Sequence, residues 1–327
     1  MKISPIAIFA YKRPAHTLRL LNSLKKNELI EKTEIYVFCD GIKDHHDEEE
    51  VAAVKQVRHI CESIDFCKKA NLNFSDKNKG LASSIIEGIS KVLAENDRII
   101  VLEDDLELSP MFLKYMNSAL DLYQDEEKVF QVSGYWYPIP GSDQLPSTFF
   151  SKLTSCWGWG TWARAWKYFE ADPDSLKERV LKLDPSLRSF NFENEADFLI
   201  QLDLNINKKI KTWGIKWYSS VFLNNGLSLH SNHSYVNNTG HDGTGENCGS
   251  NSIYQWSELK DFIKLENVSI EENLVARKMV VDFFKERNLK NNTLLMKVKR
   301  QIPKPIKDAI KTILKKITGK TSKLNHE

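Results

Sequence analysis

Cysteine is scarce and scattered. Five occur in 327 residues, at Cys39, Cys61, Cys67, Cys156 and Cys248, and no two have the two-residue gap of a zinc or redox site. An odd, dispersed set points to reduced thiols in a cytoplasm rather than to a disulfide framework. Long apolar runs are missing too. No stretch approaches the roughly 18 to 20 residues that span a bilayer. Residues 3–10, interrupted by Pro5, lack the apolar centre and cleavage site of a secretory leader. Neither glycine-rich phosphate loop, G-x-G-x-x-G or G-x-x-x-x-G-K-S/T, is present, which argues against dinucleotide enzymes and P-loop NTPases. Net charge is small, +2 from 46 Lys+Arg and 44 Asp+Glu, so no bulk electrostatic attraction to nucleic acid is expected.

That small sum hides an asymmetry. Residues 297–323 hold ten Lys or Arg against the single acid Asp308, a local +9, which leaves about −6 for residues 1–296. With 41% apolar residues the acidic body can bury a core. Its first 135 residues alternate β-branched runs with amphipathic stretches, the pattern of βαβ units on a mostly parallel sheet. Strands are expected at 3–10, 34–39, 71–75, 98–102 and 129–133. Helices are expected from Pro14 to Lys26, with Leu18, Leu21 and Leu24 facing the sheet, then at about 47–67 and 81–94, and after Ser109-Pro110. Residues 136–265 are irregular and hold all eight tryptophans. They are read as the second half of one α/β domain spanning 1–265, with loops over the carboxyl ends of the strands. Residues 266–327 are read as a helical extension.

The sharpest chemistry lies at Ile99-Ile100-Val101-Leu102-Glu103-Asp104-Asp105, a buried-strand run leading into three carboxylates. Three adjacent acids repel one another, and a divalent cation shared with diphosphate oxygens relieves that repulsion, so Mg²⁺ or Mn²⁺ is the expected cofactor. Other strand ends carry polar groups on the same rim. Lys12 and Arg13 stand beside a helix start, a place suited to phosphate, Asp40-Gly41 follows the second strand, and Asp76 to Gly80, with Lys79, follows the third. Tryptophan and glycine interleave from Cys156 to Trp166. Trp157 and Trp159 are the ligand candidates there, because an indole face stacks on a sugar ring; Trp162 and Trp166, four apart, fit the buried face of a helix. Trp213 to Tyr218 suits either a core helix or an acceptor wall. Three glycines within residues 240–245 surround His241 and Asp242, the composition of a lid.

Together these residues resemble a GT-A-fold glycosyltransferase, and more narrowly bacterial family-2-like sugar transferases related to N-acetylglucosaminyltransferase I of the Golgi. The resemblance covers roughly residues 3–250. It implies Asp105 as metal ligand, Glu103 and Asp104 facing the ribose and donor sugar, Arg13 and Asp40 at the nucleotide, and the loop around His241 and Asp242 closing over the donor; Lys79 at the nucleotide and Trp157, Trp159 and Trp213 at the acceptor are the further candidates of the residue pattern. In the Golgi enzyme the catalytic base is an aspartate between two tryptophans; here Gly214, Ile215 and Lys216 stand between Trp213 and Trp217. The carboxylates left for a base are Glu193, Glu195, Asp197, Asp203 and Asp242.

The expected activity is transfer of a sugar from a nucleotide diphosphate, UDP above others, to a saccharide or lipid-linked acceptor in surface polysaccharide synthesis, with inversion. Two other readings stand beside it: a binding protein of the same fold without turnover, and a phosphatase with Asp40 as nucleophile, in which Ile42 replaces the usual second acid. In the tail, Ile302, Ile306, Ile310, Ile313, Leu314 and Ile317 recur three or four apart among lysines. Such a helix suits peripheral docking on an anionic inner membrane face through residues 297–323. It lacks the interleaved aromatics of a single-strand nucleic-acid surface.

Overall fold

The computed structural model describes residues 1–44, 47–240 and 252–301. Eight strands form one sheet: β1 (Ile6–Ala10), β2 (Glu34–Cys39), β3 (Lys69–Phe74), β4 (Arg98–Glu103), β6 (Val129–Ser133), β7 (Thr148–Ser151), β8 (Trp159–Trp162) and β9 (Leu227–Ser231). Their order is β3-β2-β1-β4-β8-β6-β9-β7. Neighbours β3, β2, β1 and β4 pair in parallel; β8 runs against both β4 and β6, β9 runs with β6, and β7 runs against β9. The expected mostly parallel α/β architecture is therefore present, and the tryptophan-rich half adds strands to the same sheet. A small second sheet pairs β5 (Leu106–Leu108) antiparallel with β10 (Val236–Asn238).

The interior strands read as unbroken apolar runs because helices cover both faces. β1 is buried throughout, and β4 is buried from Arg98 to Leu102. One face, with Ile6, Ile8, Ile100 and Leu102, packs with residues of α1 (Pro14–Lys25), α2 (Glu48–Glu62) and α4 (Phe112–Leu122). The other, with Ala7, Phe9, Ile99 and Val101, packs with α3 (Leu81–Leu93), α5 (Ala163–Trp166) and α8 (Gly214–Leu223). Further helices are α6 (Pro173–Leu183), α7 (Phe198–Ile206) and α9 (Leu274–Gln301).

Local chemistry sets the helix starts. Pro14 opens α1, the Asp47 side chain accepts from the Glu50 N–H at α2, and the Ser109 hydroxyl accepts from the Met111 N–H ahead of α4. In α1 the inward face is Thr17, Leu20, Leu21 and Leu24, whereas Leu18 is 48% exposed. The expectation for Leu18 is thus corrected: a stripe through 17, 20, 21 and 24 follows the 3.6-residue turn, and Leu18 falls off it. α2 stops at Glu62 rather than 67, because the chain turns at Ser63 to enter β3.

The chain forms two compact units, residues 1–280 and 281–327. Residues 256–273 belong to the body because they bond to it repeatedly. The Trp256 indole donates to the Trp136 carbonyl (2.6 Å), Ser147 N–H donates to Glu266 (3.0 Å), and Asn273 N–H donates to the Phe150 carbonyl (2.8 Å). Of the second unit, 281–327, the described part is the remainder of α9. No helix among the described residues is long and apolar enough to cross a membrane. The amphipathic stretch from Ile302 lies outside the described residues.

Candidate active site

Strands β2 and β3 lie to one side of β1, and β4 lies to the other, so the direction of winding reverses between β1 and β4. In open α/β sheets such a reversal leaves a crevice at the carboxyl ends of the strands. Here β1 ends at Ala10 and continues into Tyr11, Lys12 and Arg13, while β4 ends at Glu103 and continues into Asp104 and Asp105. The Arg13 guanidinium bridges both aspartates, bonding Asp104 Oδ1 and Asp105 Oδ2, the latter at 3.0 Å. Tyr11 N–H also approaches Asp104 Oδ2 at 3.4 Å.

Electrostatics of this cluster follow from burial. Burial pushes Glu103 well above the usual carboxylate range, helped by the Asp105 and Asp104 charges. Asp104 is also raised by burial, with Arg13 opposing. Burial works against the Arg13 charge, but its two aspartates outweigh that and hold the guanidinium firmly protonated. With Glu103 pushed toward its neutral form, Asp104 and Asp105 stand against the single Arg13 guanidinium. Among the described residues no group of three or more His, Cys, Asp or Glu forms a metal cage. The Asp105 Oδ1 atom, however, meets no protein donor among the described residues, and Asp105 lines a cavity. One or two carboxylates plus ligand oxygens is the set that Mg²⁺ and Mn²⁺ use, so the donor chemistry of Asp105 fits such an ion.

Asp105 is braced from behind by the chain leaving β10. Thr239 donates its N–H (2.7 Å) and hydroxyl (3.0 Å) to the Asp105 carbonyl, and Gly240 N–H donates to Asn238 Oδ1 (2.7 Å). A Cβ on Gly240 would stand 2.5 Å from Asp105 Oδ2, so only glycine permits this approach. The sequence places Asn238 and Thr239 at the start of the lid-like run 237–245 but does not show that they brace Asp105.

The cavity encloses about 360 Å³. Its lining includes Tyr11, Lys12, Arg13, Asp40, Lys43, Asn78 and the acidic triplet, together with Trp157, Phe198, Lys211, Trp213 and Tyr218. Glu50, from the first turn of α2, fixes the mouth by accepting from the Tyr11 hydroxyl (2.6 Å) and the Lys12 ammonium (2.8 Å). Lys12 first, then Tyr11, hold its carboxyl down to about 2.

The sequence-predicted residues separate accordingly. Arg13, Asp40, Glu103, Asp104, Asp105, Trp157 and Trp213 all line the cavity. Lys79 does not: its side chain pairs with Glu87 at 2.6 Å, and only its backbone N–H meets Asp40. Trp159 is a correction. It is fully buried in β8, stacked on Trp213 at 5.2 Å, and so has no face to offer a sugar. Trp162 ends β8 rather than entering a helix, though both it and Trp166 are buried as expected. Asp203 pairs with Lys177 at 2.5 Å and Glu193 with Arg188; neither lines the cavity, nor do Glu195 and Asp197. His241 and Asp242 lie outside the described residues.

No protein-family model matches the chain, and no curated protein sequence matches it. Among solved structures it is similar to S. aureus TarS residues 1–349, at 12% identity and a TM-score of 0.40 over 71% of this chain and 59% of that one. The same protein solved with UDP gives 11% and 0.39 over 71% and 59%, and with UDP-GlcNAc 13% and 0.38 over 71% and 57%. The chain thus spans less than two thirds of the TarS chain it resembles. The likeness is faint, and the chemistry of the cavity carries the functional reading.

Proposed function

We propose that the chain is a GT-A-fold glycosyltransferase that moves a sugar from a nucleotide diphosphate to a saccharide or lipid-linked acceptor. The observation that carries this is the pair Asp104 and Asp105, bridged by Arg13 at the sheet's winding reversal and lining a cavity that aromatic side chains also line. The charged groups around Arg13 and Asp105 suit a diphosphate, and the indoles of Trp157 and Trp213 suit the apolar faces of sugar rings. When bound at Asp105, Mg²⁺ or Mn²⁺ supplies a Lewis acid for the leaving diphosphate. Arg13 adds a fixed positive charge beside the same oxygens. Asp104 and Glu103 face the donor's hydroxyl groups, and the aromatic wall holds the acceptor. Single displacement with inversion requires a base. Glu193 and Asp203 stand off the cavity in ion pairs, so Asp242, two residues beyond the Gly240 that abuts Asp105, is the proposed base. Docking through the basic residues 297–323 brings the site to lipid-linked acceptors on an anionic inner membrane face. No role in nucleic-acid binding is proposed.

The test is calorimetry with a panel of nucleotide sugars, with and without Mn²⁺, followed by analysis of the transferred sugar and its anomeric configuration. Metal-dependent donor binding with turnover supports the reading. Donor binding without turnover on any acceptor identifies a binding protein instead, and phosphate release from simple esters identifies a phosphatase.

A further inference from the structure

The turn between α7 and α8 brings hydrogen-bond donors to the cavity and no carboxylate with them. Asn205, near the end of α7, ties the turn down: its Oδ1 accepts from the Thr212 N–H (3.0 Å) and its Nδ2 donates to Thr212 Oγ1 (2.9 Å). The chain so held enters α8 at Trp213, whose carbonyl accepts from the N–H groups of Lys216 and Trp217 (3.0 Å each). The N–H groups of Gly214 and Ile215 precede that ladder. They meet no acceptor among the described residues, and no side chain caps the helix. A further donor is left over beside them. The indoles of Trp162, Trp166 and Trp217 each bond an acceptor, whereas the Trp213 indole N–H meets none among the described residues, although Trp213 and Ile215 are each only 4% exposed. Lys211, on the surface and in no ion pair among the described residues, adds a full positive charge. Lys211, Trp213, Gly214 and Ile215 all line the cavity.

Buried donors without acceptors are costly, and an anionic ligand removes that cost. The positive end of a helix dipole and an unpaired ammonium both favour an anion over a neutral group. There is also room, since a Cβ built on Gly214 meets nothing within 4 Å. We propose that this turn is an anion subsite for the acceptor, which is therefore a saccharide carrying a phosphate or carboxylate group. The assignment to the acceptor rests on the transferase reading, in which the donor's diphosphate lies at Arg13 and Asp105.

The experiment is calorimetric titration of glucose 6-phosphate, glucuronate and glucose into the full chain saturated with UDP and Mg²⁺, repeated on Lys211→Glu and Gly214→Asp. The three probes share a ring and differ in charged group, so the two anions separate phosphate from carboxylate. At least one of them is expected to bind about tenfold or more tightly than glucose, and each variant to remove most of that advantage. Glucose binding as tightly as both anions, no binding by any of the three, or an advantage that survives both variants overturns the subsite and leaves the transferase reading standing. Anion binding that UDP displaces places the anion in the donor's position and overturns the subsite as well. Failure of UDP to bind overturns the transferase reading, and the same titrations without UDP then decide whether the turn holds an anion. Should one variant not fold, the other still decides.

Discussion

Trp159 and Trp213 stack on each other, yet only the second reaches the cavity. Composition alone treats them alike, because an indole suits a core and a sugar equally well; what separates them is that Trp159 sits in β8 between β4 and β6. Trp159→Ala is therefore expected to cost about 3–5 kcal/mol in unfolding free energy, read by urea denaturation. Trp157→Ala, on a half-buried wall residue, should change stability far less and act on acceptor KM. Asp105 gives the converse expectation. Asp105→Ala removes the carboxylate proposed to hold the ion, and turnover should fall by at least about 100-fold. Undiminished turnover by this variant, or by the wild type in excess chelator, removes the metal role. The triplet itself was legible from sequence because a run of four apolar residues leading into three acids marks a buried strand that ends at a charged rim. The Arg13 bridge was not, since Arg13 lies 91 and 92 residues from Asp104 and Asp105.

Elements bring those partners together. Parallel pairing of β1 with β4 sets Phe9 beside Glu103, and the residues after each strand then meet at one rim. The segment 256–273 is a second such device. Its Lys260 is buried, with the ammonium on Ser231 Oγ (3.0 Å) and Asn232 Oδ1 (3.1 Å) and no carboxylate in bonding range among the described residues. Burial first, and Lys264 in addition, lower it from 10.5 to about 8, against the pull of Glu266. Between about 8 and 10.5 the unfolded chain binds more protons at this lysine than the folded one, so its contribution to stability rises with pH across that window and is flat below it. Comparing urea midpoints of wild type and Lys260→Met at pH 7.5 and 9.5, the wild type should gain on the variant at the higher pH. A difference that is the same at both would show that the ammonium is not held at a cost. Only its part from residue 266 onward was read as belonging to a helical extension; the attachment of that part to β7 depends on carbonyls and side chains far away in the chain.

At the scale of the whole molecule, charge is divided between an acidic body and a basic tail. Deleting residues 297–327 should abolish binding to anionic vesicles while leaving donor hydrolysis intact, since each Lys near such a surface contributes about 1 kcal/mol. Unchanged vesicle sedimentation would falsify the docking role. Much of the architecture was available from the order of residues: β2 and β6 fall where the β-branched runs predict, and the helices between β1 and β4 follow from apolar spacing and from proline or polar caps. These are local properties, governed by the 2.0 and 3.6 residue periods and by which side chains satisfy a free N–H. Strand order, the antiparallel insertion of β8, the burial of Trp159 and the bridging of Asp104 and Asp105 by Arg13 were decided only on folding. Each depends on atoms distant in the chain competing for the same space or the same hydrogen bond, and a linear pattern carries no record of that competition.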